Sequence, residues 1–593
     1  MDDSLQKLRG DKKMKFKDIL KRSWPYLKTE KRAVIVSLLL IVLSTAINIV
    51  LPLLTKRFVK ELDGVIESDT WRIVVGIVVG YAFLSVITQV ITYFQSMTLN
   101  KAGERIVYKM RMDVFKHIEG LSQNQFNNMP VGSLVTRVCF YTSAISDLFT
   151  STLVNLISNI LTLVGILAMM MVISVKLSLF LLIFAVVAAV SSVVFGKVIG
   201  KFFREERKLT SDMNSFLSEN LSGMKITQIF NQQKRKEKEF SVKNKEMKDT
   251  HYKIVVAFAI YRPFINFLYY GAIAVTFYVG LKLALGSDEI VAFYLYLSKF
   301  FNPIQNIADQ LNQIQRAFTA AERLYSLLEV KSEVKEKEDA IDVESFKGKI
   351  EFRHVWFAYE EENWILKDVS FVVQPKQTVA FVGATGAGKT TILSLLCRNF
   401  EIQKGQILID DIDITTIKIE SLRRAIVQML QDVFLFSGTI KENISLHDER
   451  FSDEDIKEAC DYVNATSFIK DMPKGIEEEV IERGENLSAG QRQLLSFART
   501  VLHKPQILIL DEATSNIDTE TEIIIQQSLE KMKNIGTMLV VAHRLSTIQH
   551  SDNIIVLQNG EILEQGNHQE LLAKKGYYYK LYELQYQDQE KKQ

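Results

Sequence analysis

The sequence predicts a two-part chain: a six-helix all-α transmembrane domain followed by an α/β domain built around a phosphate-binding loop. Three observations carry that prediction. Long apolar runs with few charges fill the N-terminal half, the C-terminal half alternates charged and apolar residues, and a glycine-rich loop at 383–390 joins an apolar strand to a helical pattern. At 593 residues the chain is too long for one hydrophobic core. Its 72 basic and 70 acidic side chains leave a net charge of +2, which argues against a nucleic-acid-binding surface spread over the molecule. Cys139, Cys397 and Cys460 lie far apart without a CxxC pair. They indicate neither a metal site nor a disulfide framework and are expected to be small packing residues.

From Ala33, AVIVSLLLIVLSTAINIVLPLLT is long enough to cross ~30 Å of hydrocarbon and follows a lysine-rich segment. It is too long for a signal peptide, and no small-residue cleavage site follows, so it is an uncleaved first span. Five more spans are predicted at 71–95, 148–173, 177–195, 263–281 and 290–307. Six crossings return both ends to one side. The Lys/Arg-rich stretches at 12–32, 197–208 and 234–253 all fall there, which makes that side cytoplasmic. Lys56, Arg57 and Lys60 fall on the other side and count against the assignment.

Between the second and third spans, and again between the fourth and fifth, the chain stays polar and helical for ~50 residues or more, well beyond ordinary loops. Turn-like breaks near 123–129 and 221–228 suit short helices lying crosswise, each projecting a contact toward a cytosolic domain. Inside the spans, Asn155, Asn159, Asn266, Asn302, Gln305 and Asn306 are expected to hydrogen-bond between helices. Lys299 lies about nine residues into its span at ~1.5 Å each, near the midplane, where an ammonium is costly. It faces a transport cavity, snorkels, or pairs with another polar side chain.

The pattern GxxxxGK[ST] is matched by Gly383, Gly388, Lys389 and Thr390, with Thr385, Gly386, Ala387 and Thr391 completing the nucleotide-binding stretch. Glycines let the backbone curl so that its N–H groups face phosphate oxygens, and the helix N-terminus adds positive potential. Lys389 is expected to reach the β and γ phosphates, and Thr390 to bind magnesium. Downstream, ILILDEATSNID supplies a buried strand ending in Asp511, placed to hold Mg2+, and Glu512, able to polarise an attacking water. In MLVVAHRLS, His543 emerges at the C-terminal end of a strand, where open α/β sheets put their ligands, and is expected to contact the γ-phosphate.

With these motifs the second half resembles the nucleotide-binding domain of ATP-binding cassette (ABC) transporters. LSAGQ, from Leu487, resembles the family's LSGGQ signature, and Gln431 in QDVFLFSGTIKENI its Q-loop glutamine. Tyr359 in FAY is similar to the A-loop aromatic that stacks on adenine, 515–518 to the D-loop and 479–484 to the exporter X-loop. Six spans before one cassette, two long cytoplasmic intrusions, and AFYLYLSKFFNPI followed by QRAFTAAERLYSLLE look like a type IV exporter half-transporter. The resemblance implies a cytoplasmic segment at 1–32, a transmembrane domain at 33–328, a linker at 329–348, a cassette at 349–575 and a tail at 576–593. In the tail, GYYYKLYELQYQ suits a terminal helix.

The resemblance also implies ATP and Mg2+ as cofactors, with Thr390, Gln431 and Asp511 at the metal, and the crosswise segments as coupling helices. Ser488, Gly490 and Gln491 would stand at a helix start facing the γ-phosphate of ATP bound by the other subunit. One chain therefore cannot complete a site, and with one cassette and no internal repeat it must dimerise. Ala489 departs from the family's glycine: it either crowds the phosphate or limits the backbone. Altered signatures resemble those of heterodimeric bacterial exporters, in which this chain would supply the hydrolytic Walker motifs and the impaired signature; a homodimer that tolerates alanine is the alternative. The implied function is ATP-driven multidrug-type export of amphipathic or hydrophobic compounds from a bacterial plasma membrane, among membrane lipid. Tyr269, Tyr270, Tyr294 and Phe301 are candidates for an aromatic cavity. Rival readings are a dedicated lipid or peptide exporter and, from another class, an ATP-gated channel or regulatory ATPase. Intact Walker, glutamate and histidine positions favour repeated hydrolytic cycles.

Overall fold

The computed structural model describes residues 14–63, 68–360, 363–429, 432–511, 519–541 and 548–590. The chain forms two compact units, Asp2–His117 with Pro130–Val330, and Ile118–Met129 with Lys331–Gln593.

Its first half runs through α1 (Phe16–Thr29), α2 (Lys31–Leu62), α3 (Ser68–Glu119), the short α4 (Gln123–Asn127) and α5 (Val131–Ile173). It continues through α6 (Val175–Ser222), the short α7 (Met224–Ile229), α8 (Gln233–Lys282) and α9 (Ser287–Leu328). Among the described residues, α2, α3, α5, α6 and α8 are long and apolar enough to cross a membrane, and the sixth predicted span lies within the 42-residue α9. The 52 residues of α3 make a rod of about 78 Å, far longer than a bilayer core, so this helix continues into the predicted polar extension. Two short helices fall where the turn signals put them, as α4 and α7.

Ile166, Leu177, Leu181, Leu268, Phe293 and Leu297 pack between helices, while Phe83 and Val172 stand 64% and 77% exposed, as lipid-facing residues do. Lys56 lies 3.1 Å from Glu289 and 3.9 Å from Asp288, and Arg57 lies 3.8 Å from Glu61, so two of the three basic residues that count against the predicted topology are paired. Of the six amides expected to bond between helices, Asn155, Asn266, Asn302 and Asn306 are exposed on this chain, which corrects the expectation for these four; Asn159 is half-buried, and the side chain of Gln305 lies outside the described residues. Polar contacts between helices come from shorter or longer side chains instead, such as Ser192 with Tyr261 at 2.6 Å and Thr152 with Gln313 at 3.2 Å. Phe301 is also corrected. It is 4% exposed and edge-on to Tyr269 at 5.6 Å, a core residue, whereas Tyr270 and Tyr294 are exposed.

The second unit contains β1 (Ile350–Ala358), β2 (Trp364–Val373), β3 (Thr378–Gly383), β4 (Lys404–Ile409), β5 (Ile412–Asp413) and β6 (Ile426–Met429). Then follow β7 (Gly438–Thr439), β8 (Glu479–Val480), β9 (Ile507–Asp511), β10 (Thr537–Val541), β11 (Asn553–Gln558) and β12 (Glu561–Gly566). Strands order as β2-β1-β4-β5 in one sheet and β12-β11-β3-β10-β9-β6 in another, with β7-β8 a separate ribbon. From β11 to β6 the larger sheet is parallel, and its strands read as unbroken apolar runs because both faces are covered.

Two further contacts give this unit its boundary. Arg398, 1% exposed, donates to Glu401, to the carbonyls of Ile414 and Ile417, and at 2.8 Å to that of Lys335, so a buried cation with every direction satisfied ties the linker to the sheet domain. Ser122 and Gln125 form a capping box on α4, and Gln125 also donates to the Lys331 carbonyl at 2.9 Å, while Asn124 donates to Glu333 at 3.0 Å. The short α4 is thereby stitched to 331–333. At the far end the tail is helical, as expected: Glu564 accepts the N–H groups of Tyr577 and Tyr578, and Tyr578 is buried beside His568.

The cysteines divide. Cys397 and Cys460 are buried, and burial pushes both thiols up to about 12, whereas Cys139 is exposed, against the expectation that all three are packing residues. Maleimide is therefore expected to modify Cys139 in the folded protein and the other two only after denaturation; mass spectrometry showing modification of Cys460 in the native state would contradict this packing.

Candidate functional site

The registers of the parallel sheet bring separate loops to one edge. Val541 at the end of β10 stands opposite both Asp511, the last residue of β9, and Phe381 of β3, while Met429 at the end of β6 pairs with Leu510. The chain leaves all four strands at the same carboxyl edge, where open α/β sheets gather ligands. Gln431, Glu512, His543 and the segment 515–518 follow directly on these strand ends and lie outside the described residues.

After β3 the loop turns at Gly383 and enters the helix α10 (Lys389–Leu396), whose N-cap Gly388 has φ +101°. A Cβ on Gly388 would meet Leu366 Cδ2 at 2.6 Å, so glycine is required twice there, by conformation and by contact. Thr385 and Gly386 are exposed at the loop crest, Ala387 is buried beneath, and Thr390 is exposed at the helix start. The Lys389 ammonium arches over the loop and donates to the carbonyls of Gly383 at 2.7 Å and Ala384 at 3.0 Å. Burial lowers its pKa from the ordinary lysine value, and the Asp511 carboxylate opposes that shift. A cation held over a curled glycine backbone at a helix N-terminus is a fit for polyphosphate. The Thr390 hydroxyl and Asp511 carboxylate are hard oxygen donors of the type Mg2+ takes.

Tyr359 completes this half of the site. Its ring is edge-on to Phe357 at 4.9 Å and to Phe400 at 5.1 Å, its hydroxyl lies 3.2 Å from Thr391 Oγ1, and it stays 46% exposed. The ring is fixed by its neighbours yet keeps surface free for a base, next to the phosphate loop.

The helix α11 (Ala489–His503) carries the signature stretch. Ser488 is its N-cap: the Ser488 Oγ accepts from the Gln491 N–H at 3.2 Å, and the Gln491 Oε1 accepts from the Ser488 N–H at 2.9 Å. This is a capping box, encoded locally by the S-x-x-Q spacing of Ser488 and Gln491. Because Ser488 Oγ accepts within the box, its own proton is left to donate outward. Ala489 occupies the first helical position, a right-handed conformation any L-residue adopts, so the methyl does not strain the backbone. Gly490 behind it is buried.

Two arginines not singled out in the sequence hold this helix to its surroundings. Arg492 donates to the carbonyl of Leu487 at 2.7 Å and to that of Gly484 at 3.3 Å, and Arg499 donates to the Asn443 carbonyl at 2.8 Å. Asn443 in turn brackets Phe436 by accepting from its N–H and donating to its carbonyl, both at 2.8 Å. The stretch 479–484, the segment after Gln431 and the signature helix thus form one hydrogen-bonded body. In the other unit, the Lys299 ammonium donates to the backbone carbonyl of Asn48 at 2.9 Å.

Family comparison agrees with this geometry. Residues 34–304 match the ABC transporter transmembrane region and 366–515 the ABC transporter domain. The chain is 39% identical over 85% of its length to the probable multidrug resistance ABC transporter ATP-binding/permease protein YheH of Bacillus subtilis, covering 76% of that protein. It is 34% identical to a fatty acid ABC transporter ATP-binding/permease protein of Mycobacterium tuberculosis, over 82% of this chain and 78% of that one. The structure of a bacterial Atm1-family ABC exporter with ATP bound superposes with a TM-score of 0.79 at 25% identity, covering 94% of this chain and 98% of the other.

Replacing Lys389 by alanine is expected to weaken ATP binding at least tenfold, about 1.4 kcal/mol, in equilibrium titration of the purified protein, while Tyr359→Trp retains binding and Tyr359→Ala loses it. Unchanged affinity in Lys389→Ala would remove the loop from the site.

Proposed function

This chain belongs to the ABC transporter family, among its exporters, and couples ATP hydrolysis to transport; we propose that it exports amphipathic or hydrophobic compounds from the cytoplasm or inner leaflet of a bacterial plasma membrane, with the cassette cytoplasmic. The observation that carries this is a stripe on α9. Tyr294, Asn302 and Asn306 are exposed at successive turns with Ser298 half-buried between them. An amide facing hydrocarbon has no partner, so this face suits a cavity or a second subunit rather than lipid. It offers ring surface and neutral hydrogen-bonding groups, as an amphipathic cargo requires. The names of the two relatives, one for multidrug resistance and one for fatty acids, span the same range.

Exporters of this fold act as dimers, and the unpartnered surface of α7 supports the same for this chain. Met224, Ile226, Ile229 and Phe230 are 41–69% exposed on a polar extension, where a coupling helix would seat on a cassette. We further propose a heterodimer. The Ala489 methyl stands at the mouth of a helix whose backbone tolerates it, so its effect falls on the phosphate that the opposite subunit would present.

In the proposed cycle Tyr359 stacks the base, and the 383–390 loop and Lys389 hold the phosphates. Thr390, Asp511 and Gln431 would hold Mg2+, which when bound neutralises charge on the transferred phosphoryl group. Glu512 orients the attacking water and accepts its proton, and His543 stabilises the γ-phosphate oxygens. The Ser488 hydroxyl and Gly490 N–H donate to the γ-phosphate across the dimer.

The decisive experiment is ATPase activity of this chain alone in lipid nanodiscs. Low activity is expected, raised about tenfold by Ala489→Gly, which corresponds to ~1.4 kcal/mol of barrier. Full activity without that change would show that a homodimer suffices. Glu512→Gln is expected to keep ATP binding and lose nearly all turnover in the active form; retained turnover would reject Glu512 as the base.

A further inference from the structure

The strongest unexplained contact in the membrane half joins two proline breaks. Pro52 is buried inside α2. Lacking an N–H, it leaves the carbonyl four residues earlier, that of Asn48, without its helical donor, and its ring pushes that carbonyl aside. In hydrocarbon an orphaned carbonyl is costly. The Lys299 ammonium of α9 donates to this same carbonyl at 2.9 Å, and one turn away the buried Tyr296 hydroxyl donates to the carbonyl of Ile49 at 2.7 Å. The helix α9 has its own proline, Pro303, and the carbonyl it frees is that of Lys299. The residue released by one break therefore carries the side chain that repairs the other.

Other observations converge on this level. A Cβ on Gly165 of α5 would meet Ile49 Cδ1 at 2.3 Å, so a third helix closes on α2 at the break. Pro52 sits inside the otherwise continuous α2 and frees a single carbonyl, a local negative end of a peptide dipole where a cation is favoured. A serine or threonine would fold back on its own helix. A lysine has the reach to cross to a neighbour and forms a charge-assisted bond, which accounts for an ammonium at a depth where it is otherwise unfavourable.

We propose that Lys299 is a positioning residue that replaces the hydrogen bond Pro52 deletes, and thereby sets how the first and sixth spans are joined at their paired breaks. Its chemistry is directed at the backbone of α2 and not at cargo. This inference does not depend on the cargo proposed above, because the outcome rests on a backbone substitution that no cargo contact would mimic.

The test is a double-mutant cycle on the assembled exporter in lipid nanodiscs, read by ATPase rate and unfolding midpoint. Lys299→Met is expected to lower the midpoint by about 5 °C and the ATPase rate severalfold. In Pro52→Ala the new N–H closes the Asn48 carbonyl, so adding Lys299→Met to that background is expected to cost at most a fifth of its effect in the wild type. Additive losses, or a Lys299→Met protein with unchanged midpoint and altered cargo dependence, would overturn the proposal and assign Lys299 to the cavity. Should Pro52→Ala not fold, Lys299→Arg is expected to keep the wild-type midpoint, and amide exchange across 45–56 is expected to quicken in Lys299→Met. Unchanged exchange there would equally overturn it.

Discussion

The parallel register of β10 between β3 and β9 is the constraint on which the rest of the cassette depends. Side chains alternate along each strand, and the alternation divides the unit into two cores. Ala380, Val382, Leu508, Leu510, Met538 and Val540 enter one, and Val379, Phe381, Ile507, Ile509, Leu539 and Val541 the other. A slip of one residue would exchange the faces of a whole strand. Such a slip would also shift the level at which the chain leaves the sheet, and with it the phosphate loop, Asp511, and the strand ends before Gln431 and His543. Hydrophobic burial on two faces thus fixes the distances that the chemistry at the edge requires.

Local helix energetics serve function by the same economy. The capping box of Ser488 and Gln491 satisfies two backbone donors that a helix start leaves open, which is worth about 1 kcal/mol. That geometry also turns the serine proton outward. The box on α4 repeats the device with Ser122 and Gln125, and there the amide nitrogen left over reaches the Lys331 carbonyl. In both places a residue needed for local stability keeps one hydrogen-bonding direction for a longer-range contact.

The membrane half is organised by polar accounting of another kind. Apolar packing between helices has little advantage over lipid, so position is set by close approach and by buried hydrogen bonds. Gly165, Tyr296 and Lys299 supply these around the break at Pro52, and Ser192 with Tyr261 does so between α6 and α8. On α9, Asn302, Asn306 and Tyr294 stay exposed on this chain, while Tyr296 and Tyr325 are buried.

Most of the fold was legible in the sequence, because its signals are local. Span length, the glycine spacing of 383–390, the apolar strands before Asp511 and His543, and the S-x-x-Q start of α11 each depend on neighbours within a turn or two. The tertiary structure alone decided partners. Lys299 finds its acceptor 251 residues away, Arg398 reaches the linker across 63, and Tyr359 meets Thr391 across 32. It also withdrew Phe301 into the core, left four asparagines on the surface, exposed Cys139, and brought in Arg492 and Arg499, none of which has a local signature. Periodicity states which residue types prefer burial, but which hydrogen bond a buried or half-buried polar group makes depends on the element packed against it. That is set by the registers and crossings of distant segments.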